Sequence, residues 1–146
     1  MNENSYAKTL VFLQFLMIGL MLFFSKGVLG TLLALSIFSF FLLFGLVAIN
    51  YNKLGNFNIQ PKLKEGSKLI TTGIYAYVRH PMYTSVMGMM LGVLISTPSL
   101  IEYFLFFLLF IVLLLKAKKE ESLWLKHDEA YKIYKDKSKL FIPFIL

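Results

Sequence analysis

Residues Thr71–Tyr83 have the sequence TTGIYAYVRHPMY, which lies between two pairs of apolar segments and decides how the chain folds. One Arg, one His, three Tyr and one Gly fall within these few positions, a density of polar and aromatic groups found nowhere else in the sequence. Pro81 disfavours helix at His80 and suits the first position of a helix. The stretch therefore predicts that a third apolar helix begins at Pro81, with Arg79 and His80 directly before it.

The composition of the chain indicates an integral membrane protein. Hydrophobic residues make up 58% of its 146 residues, above the roughly 45–50% of soluble domains. A water-soluble core of this length cannot bury so much apolar surface, so the excess faces lipid. The length predicts one domain, residues 1–146.

The net charge of +7 would suggest nucleic acid binding in a soluble protein. Here the cations flank apolar segments, where they contact anionic lipid headgroups. We therefore expect membrane lipids as partners and no nucleic acid. The chain has no cysteine, which excludes thiolate ligands, and we expect no metal.

Four apolar segments are predicted as membrane spans, because about 20 apolar residues cross the hydrocarbon layer. The spans cover about residues 9–25, 28–50, 81–97 and 100–116, with a connection at 51–80 and a tail at 117–146. The predicted fold is an all-α integral membrane protein with about four transmembrane helices plus a cytoplasmic amphipathic C-terminal helix. A cleaved signal peptide is an alternative for the first segment, but a second span follows so closely that a helical hairpin is favoured.

The cations also predict the orientation in the membrane. All Lys and Arg except Lys26 fall in the N-terminus, the 51–80 connection or the region after residue 115. The positive-inside rule then places both termini and the connection in the cytoplasm. Richness in Lys, Asn, Ile and Phe suggests an AT-rich bacterial genome, so we expect a multi-pass protein of a bacterial cytoplasmic membrane.

Small residues form a stripe along the third span. They lie three or four positions apart, at Ser85, Gly88, Gly92 and Ser96. This spacing puts them on one helical face, and small residues on one face allow two membrane helices to approach closely.

The tail carries a second group of polar and aromatic residues. On a helical wheel they fall within about 80° of one another, and they are Glu120, Trp124, His127, Tyr131 and Tyr134. Such a stripe lies on the same side of the membrane as Arg79 and His80, so the two groups could form one site. Two alternatives stay open: an amphipathic helix on the membrane surface, and interfacial aromatic and basic residues without a function.

Two motifs together resemble a known family. Gly73, Tyr75, Arg79-His80-Pro81 and Tyr83 fit the pattern G-x-Y-x-x-x-R-H-P-x-Y, and Glu120, Tyr131, Tyr134 and Ile142-Pro143 fit the pattern of an acidic pair, Y-x-x-Y and a closing L/I-P. Residues 66–146 thereby resemble the isoprenylcysteine carboxyl methyltransferase family and its wider superfamily, which includes phospholipid methyltransferases. Three positions depart from the pattern. When the tail is aligned through Tyr131, the acidic pair falls on Lys119 and Glu120, a Phe-Gly pair falls on His127-Asp128, and a usual glycine is Ser85.

The resemblance implies a membrane-embedded methyltransferase that uses S-adenosylmethionine. The acceptor would be lipophilic or membrane-associated: an isoprenyl carboxylate, a phospholipid amine or a small thiol. Arg79 would orient an anionic group, Glu120 would hold the ammonium or balance the sulfonium of the cofactor, and His80 would bind its carboxylate. The other cofactor-binding residues implied are Gly73, Tyr75, Tyr83, Trp124, Tyr131 and Tyr134.

Two other functions remain as alternatives at this point. Membrane reductases of the sterol reductase type, which use NADPH, share a similar R-H-P-x-Y ending, although four spans leave little room for a dinucleotide and a ring system. A non-catalytic scaffold or transporter subunit is the other. A proton relay has little support, because the one acid within the spans, Glu102, lies close to a turn. The sequence makes no prediction of the oligomeric state.

Overall fold

A computed structural model gives the fold and describes residues 2–26, 30–53, 56, 58–63 and 66–143. The helices are α1 (Glu3–Phe24), α2 (Leu32–Asn52), α3 (Pro81–Ser96), α4 (Leu100–His127) and α5 (Ala130–Lys137), with a 3₁₀ turn at Gly73–Ala76. In these ranges the only β contact is an isolated parallel bridge between Val78 and Lys139. The predicted all-α fold class is confirmed.

Local sequence signals set the starts of three helices. The hydroxyls of Thr31 and Ser99 accept hydrogen bonds of 3.1 and 3.2 Å from the backbone N–H three residues further on, at the starts of α2 and α4. Such caps satisfy N–H groups that have no partner within the first turn. Pro81 is the first residue of α3, as predicted, and His80 before it has a non-helical backbone.

The helices have the length and surface of membrane spans. Three of them, α1, α2 and α4, are long and apolar enough to cross a membrane, whereas α3 is apolar but has 16 residues, about 24 Å of helix. On α2, the side chains of Phe40, Leu43 and Leu46 are more than half exposed. An apolar surface of this extent on a helix requires a lipid environment. The prediction of an integral membrane protein is confirmed.

Helix boundaries differ from the predicted spans in three places. The first helix begins at Glu3 rather than at about residue 9. The second helix begins at Leu32 rather than 28, and residues 27–29, which include the predicted turn and span start, lie outside the described ranges. The fourth helix continues past the predicted end at 116 to His127. The residues after Lys116 are charged but strong helix formers, so a helix can leave the apolar layer without ending there.

The four long helices pack as two pairs, α1 with α4 and α2 with α3. The core between them is formed by Met17, Met21, Met90, Val93, Leu94, Leu105, Leu109 and Leu113. Since α1 supplies two of these side chains, it is part of the bundle. Its removal as a signal peptide would take away part of the core.

The predicted stripe of small residues lies between α2 and α3. A Cβ added at Gly92 would lie 2.9 Å from the backbone oxygen of Ala34, and one added at Gly88 would lie 2.0 Å from the ring of Phe41. The hydroxyl of Ser85 donates a 2.7 Å hydrogen bond to the Phe41 carbonyl. The prediction that these positions allow close packing is confirmed.

Candidate functional site

A cavity of about 240 Å³ lies at the end of the bundle where α3 begins and α4 becomes charged, which we call the polar end. This volume is many times the roughly 10–15 Å³ that one water needs. Its walls come from α1, the end of α2, the 53–80 connection, α3, α4 and α5. Eight of the nine predicted site residues line it: Tyr75, Arg79, His80, Tyr83, Glu120, Trp124, Tyr131 and Tyr134.

Gly73, the ninth, has a structural position beside the cavity. Its φ of +62° is in the left-handed region that favours glycine. A Cβ at this position would lie 2.3 Å from the ring of Tyr51 at the end of α2. Gly73 therefore lets the 3₁₀ turn approach α2, and it contributes no side chain to the site.

Glu120 is the acidic group of the cavity wall. Its Oε1 accepts a hydrogen bond from the Tyr83 hydroxyl, and its Oε2 lies 3.4 Å from Nδ1 of His80. The side chain retains 20% of its exposure. The carboxylate is thus held in one orientation from two sides while part of it faces the cavity.

His80 is buried between Glu120 and Glu121. Its imidazole stacks on the Tyr83 ring with a centroid distance of 5.4 Å. Nε2 lies 3.8 Å from Oε1 of Glu121 and has no hydrogen-bond partner. Burial acts to lower the pKa of His80, but the nearby carboxylates of Glu120 and Glu121 more than offset this, so the net pKa is raised. The structure thus favours a protonated imidazole whose Nε2–H has no hydrogen-bond acceptor.

Arg79 makes its contacts inside the protein. Its Nε lies 2.6 Å from Oε1 of Glu121, with both side chains less than 10% exposed. One terminal nitrogen donates to the backbone carbonyls of Lys135, at 3.0 Å, and Ser138. Lys135 Nζ completes the network, 2.8 Å from the second oxygen of Glu121. The guanidinium therefore connects the start of α3 to α4, α5 and the segment that follows.

Backbone hydrogen bonds connect the chain after α5 to the stretch before α3. The N–H groups of Arg79 and His80 donate to the carbonyls of Lys139 and Leu140, and the Lys139 N–H donates to Tyr77. The hydroxyl of Thr84 also donates to the Phe141 carbonyl. Residues 138–141 thus hold Arg79 and His80 in place. The tail and the 71–83 stretch, which could form one site by the sequence, are joined by these hydrogen bonds.

Aromatic side chains form the wall beside Glu120. Trp124 and Tyr131 are stacked, with ring centroids 6.1 Å apart and planes 11° from parallel. Tyr134 donates a 2.7 Å hydrogen bond to the backbone oxygen of Tyr75. Burial raises the pKa of Tyr75 and Tyr131 well above the usual value and that of Tyr134 to about 12. All three hydroxyls therefore stay protonated near neutral pH.

The predicted stripe is not one helix. Helix α4 ends at His127 and α5 begins at Ala130, so the wheel that placed the five residues on one face ran across a break. Trp124 and Tyr131 still meet because α5 turns back toward the cavity. His127 is exposed and packs edge-on against Trp124, and it is not among the residues that line the cavity.

The cavity wall also contains a buried lysine, which was not predicted from the sequence as a site residue. Lys116 is 1% exposed, and its ammonium donates to Oε1 of Gln14 on α1 (2.5 Å) and to the Ile59 carbonyl (3.0 Å). It also lies 5.1 Å from the centre of the Tyr83 ring. The sequence feature that could have indicated a buried polar contact is Gln14, a single polar residue within the first apolar run.

Comparison with known proteins identifies the family. A family model described as phospholipid methyltransferase matches residues 15–133, which is most of the chain. The chain belongs to the phospholipid methyltransferase family. The predicted membership of the wider superfamily is thereby confirmed. No curated protein and no solved structure matches the chain.

The matched region contains most of the cavity wall, from α1 to Tyr131. The chain is thus a membrane protein of the phospholipid methyltransferase family, with a ligand-sized cavity where its polar residues converge. Glu120 and Glu121 are adjacent acids that both face His80. Their carboxylates lie within 4 Å of it, although alignment through Tyr131 had matched Lys119 and Glu120 to the acidic pair.

Proposed function

We propose that this protein transfers a methyl group from S-adenosylmethionine to a lipophilic acceptor at the cytoplasmic face of the membrane. The observation that carries the proposal is the oriented carboxylate of Glu120 in the wall of a cavity, in a chain of the phospholipid methyltransferase family. The cytoplasmic assignment rests on the distribution of Lys and Arg along the chain.

The residues of the cavity fit the charged groups of this cofactor. A sulfonium and an ammonium are stabilised by a carboxylate and by aromatic faces, and Glu120 lies beside the Trp124–Tyr131 stack. An anionic carboxylate requires a donor, and His80 Nε2 is a buried nitrogen without a hydrogen-bond partner. Amides suited to an adenosine come from Asn52 and Asn58.

S-adenosylmethionine, when bound, supplies an electrophilic methyl group on a positively charged sulfur. The protein's task is then to orient two reactants and to exclude water. Glu120 balances positive charge in the cavity, and Tyr83 and His80 fix its orientation. Tyr75, Tyr131 and Tyr134 stay protonated, so they serve as walls and hydrogen-bond donors rather than as bases. A carboxylate acceptor would need no base, whereas an amine or thiol would have to lose a proton.

We assign Arg79 a positioning role in place of the anion-binding role expected from the sequence. Its guanidinium already contacts the Glu121 carboxylate and two backbone carbonyls. With these contacts, Arg79 holds the Glu121 carboxylate in position beside His80. It acts on the reaction through these neighbours.

The test is ligand binding by calorimetry with the purified protein in an uncharged detergent. We expect saturable binding of S-adenosylmethionine and none of NADPH. Glu120→Gln should weaken the binding at least about tenfold, as expected for loss of a charge-assisted contact, while Glu129→Gln, at an exposed position, should not. Binding of NADPH alone would indicate a reductase, and binding of neither would indicate a non-catalytic protein.

The acceptor class is tested by methyl transfer. Membranes containing the protein are incubated with a cofactor carrying a labelled methyl group, and the lipids are then extracted. We expect label in a lipid fraction, and about tenfold less of it at subsaturating cofactor when Glu120→Gln replaces the wild type. Label confined to the aqueous phase would contradict a lipophilic acceptor.

A further inference from the structure

Lys116 is a buried cation without a buried counter-ion. Among the described residues, no carboxylate lies within 4 Å of its ammonium; its partners are the Gln14 amide, the Ile59 carbonyl and the Tyr83 ring. An ammonium has three N–H donors, and two are used by these acceptors. Burial of a charge is unfavourable unless an opposite charge compensates it. The Glu120 carboxylate, one helical turn further on, acts on Lys116 electrostatically, but no anion contacts the ammonium, and it lines a cavity that could receive one.

The position of Lys116 separates it from the wall that suits a cationic cofactor. It lies one helical turn before Glu120 on α4, about 6 Å along the axis. Helical side chains point toward the N-terminus of their helix, so the ammonium reaches from the polar end back into the apolar part of the bundle. There it meets Gln14, well inside the span of α1. The cavity wall thus has a carboxylate and, about one helical turn nearer the start of α4, an ammonium.

The surroundings of Lys116 are apolar and border the lipid. Phe15 lines the cavity from α1, next to Gln14, and its side chain is 54% exposed. Met82 and Val86 line it from α3. A ligand at this level contacts both an ammonium and an apolar, lipid-facing surface. Those are the requirements of an amphiphile with a negatively charged head and a hydrocarbon tail.

We propose that Lys116 binds the anionic group of the methyl acceptor and selects acceptors that carry a carboxylate or phosphate. This proposal rests on the proposed methyltransferase function and adds a specificity-determining residue to it. Glu120 and Lys116 then divide the cavity: the first holds the positively charged donor, the second the negatively charged acceptor. The separation of about one turn keeps both within one site.

The single tryptophan of the chain gives a direct readout. Trp124 is the only Trp in the sequence and lines the cavity. The probe is stearate carrying a nitroxide near its carboxyl end, which quenches tryptophan fluorescence at short range. Its methyl ester is the uncharged control probe. At neutral pH in uncharged detergent, we expect wild-type protein to bind the acid at least about tenfold more tightly than the ester.

The variants isolate the charge of Lys116. Lys116→Met removes the charge but keeps an unbranched side chain that suits burial, and it should abolish the preference for the acid. Lys116→Arg retains a cation and should keep the preference. Lys118→Met makes the same charge change at an exposed position of α4 and should behave as wild type. An unchanged preference in Lys116→Met would overturn the proposal.

Two further arms separate the sources of the anion. Dodecanoate and dodecyl phosphate compete with the probe; displacement by either supports the proposal and identifies the preferred head, and displacement by neither overturns it. Calorimetry with S-adenosylmethionine is run on the same variants. Weakened cofactor binding in Lys116→Met with the acid preference intact would assign Lys116 to the cofactor carboxylate and contradict its role in acceptor binding. Absence of cofactor binding in the wild type would instead count against the proposed function, independently of the acid preference.

Discussion

Tyr83 donates a hydrogen bond from its phenolic hydroxyl to Oε1 of Glu120, and this contact joins the first turn of α3 to the polar end of α4. The two residues are 37 positions apart in the sequence. Tyr83 belongs to the predicted motif around Arg79-His80-Pro81, and Glu120 belongs to the predicted motif of the tail. The orientation of the acidic group in the cavity therefore depends on how α3 and α4 are placed relative to each other.

We predict that Tyr83→Phe weakens binding of S-adenosylmethionine by about tenfold, the effect of losing one hydrogen bond to a charged group. The ring remains, so its stacking on His80 and its contact with Lys116 persist, and the thermal midpoint should change little. Calorimetry measures the affinity. Tyr103→Phe makes the same chemical change on the exposed surface of α4 and should have no effect; equal effects of the two variants would refute the role of Tyr83.

The buried pair of Arg79 and Glu121 gives a second prediction, on stability. Arg79→Met should lower the free energy of unfolding by about 3 kcal/mol, because it leaves a buried carboxylate with a weaker set of partners. The double variant Arg79→Met/Glu121→Leu should recover much of this loss, since no unpaired charge remains. Unfolding in a denaturing detergent series measures both.

A solvent-exposed pair serves as the control for that experiment. Lys119 lies 3.0 Å from Glu3, whose side chain is 77% exposed. Exposed ion pairs contribute little, so Glu3→Gln should leave unfolding nearly unchanged. If the Arg79 and Glu3 variants behaved alike, burial would not be what makes the Arg79–Glu121 pair important.

The raised pKa of His80 gives a third prediction, on pH. Because the folded-state pKa is above the unfolded value of about 6.5, its stabilising contribution is complete below that pH and is lost as pH rises through the raised pKa. The unfolding midpoint of the wild type should therefore fall as the pH is raised from about 6.5. His80→Gln should remove this component, and His127→Gln, at the other and exposed histidine, should retain it. A midpoint that rises with pH in proportion to His80 titration would contradict the assignment.

A fourth prediction concerns the packing of α2 against α3. Gly92→Ala should destabilise the protein by about 1–3 kcal/mol, the range for overpacking, because the new Cβ would meet the Ala34 backbone oxygen at 2.9 Å and backbone cannot move aside easily. Gly19→Ala on α1 is the matched change, with no atom within 4 Å of the added Cβ. It should be neutral or slightly stabilising, since Ala is the better helix former. Thermal unfolding in detergent compares the two.

Much of the fold was predictable because its signals are local. Pro81 set the start of α3, the apolar runs gave the spans, and the spacing of Gly88 and Gly92 gave a close helix contact. The site residues of the 71–83 stretch were predictable for a similar reason: a polar and aromatic cluster between apolar runs is conspicuous. All but Gly73 line the cavity.

What the sequence did not give was the pairing of side chains across the bundle. Glu121 was not predicted as a site residue because alignment through Tyr131 assumed that one helix continues to Tyr131. The break between α4 and α5 contains no Gly or Pro that would have predicted it. Lys116 was the last residue of the predicted fourth span, where the chain becomes charged. Its burial becomes visible only when α1 is placed beside α4, because the partner is Gln14.

The hydrogen bond between Lys116 and Gln14 spans 102 positions of the sequence, and this separation has a consequence for folding. Each long helix can form on its own in the membrane, since all its backbone hydrogen bonds are internal. The contact between the first helix and the fourth is non-local, and non-local contacts form late. Insertion and activity should therefore be separable events: a chain can span the bilayer with native helices before α1 and α4 have met and closed the cavity.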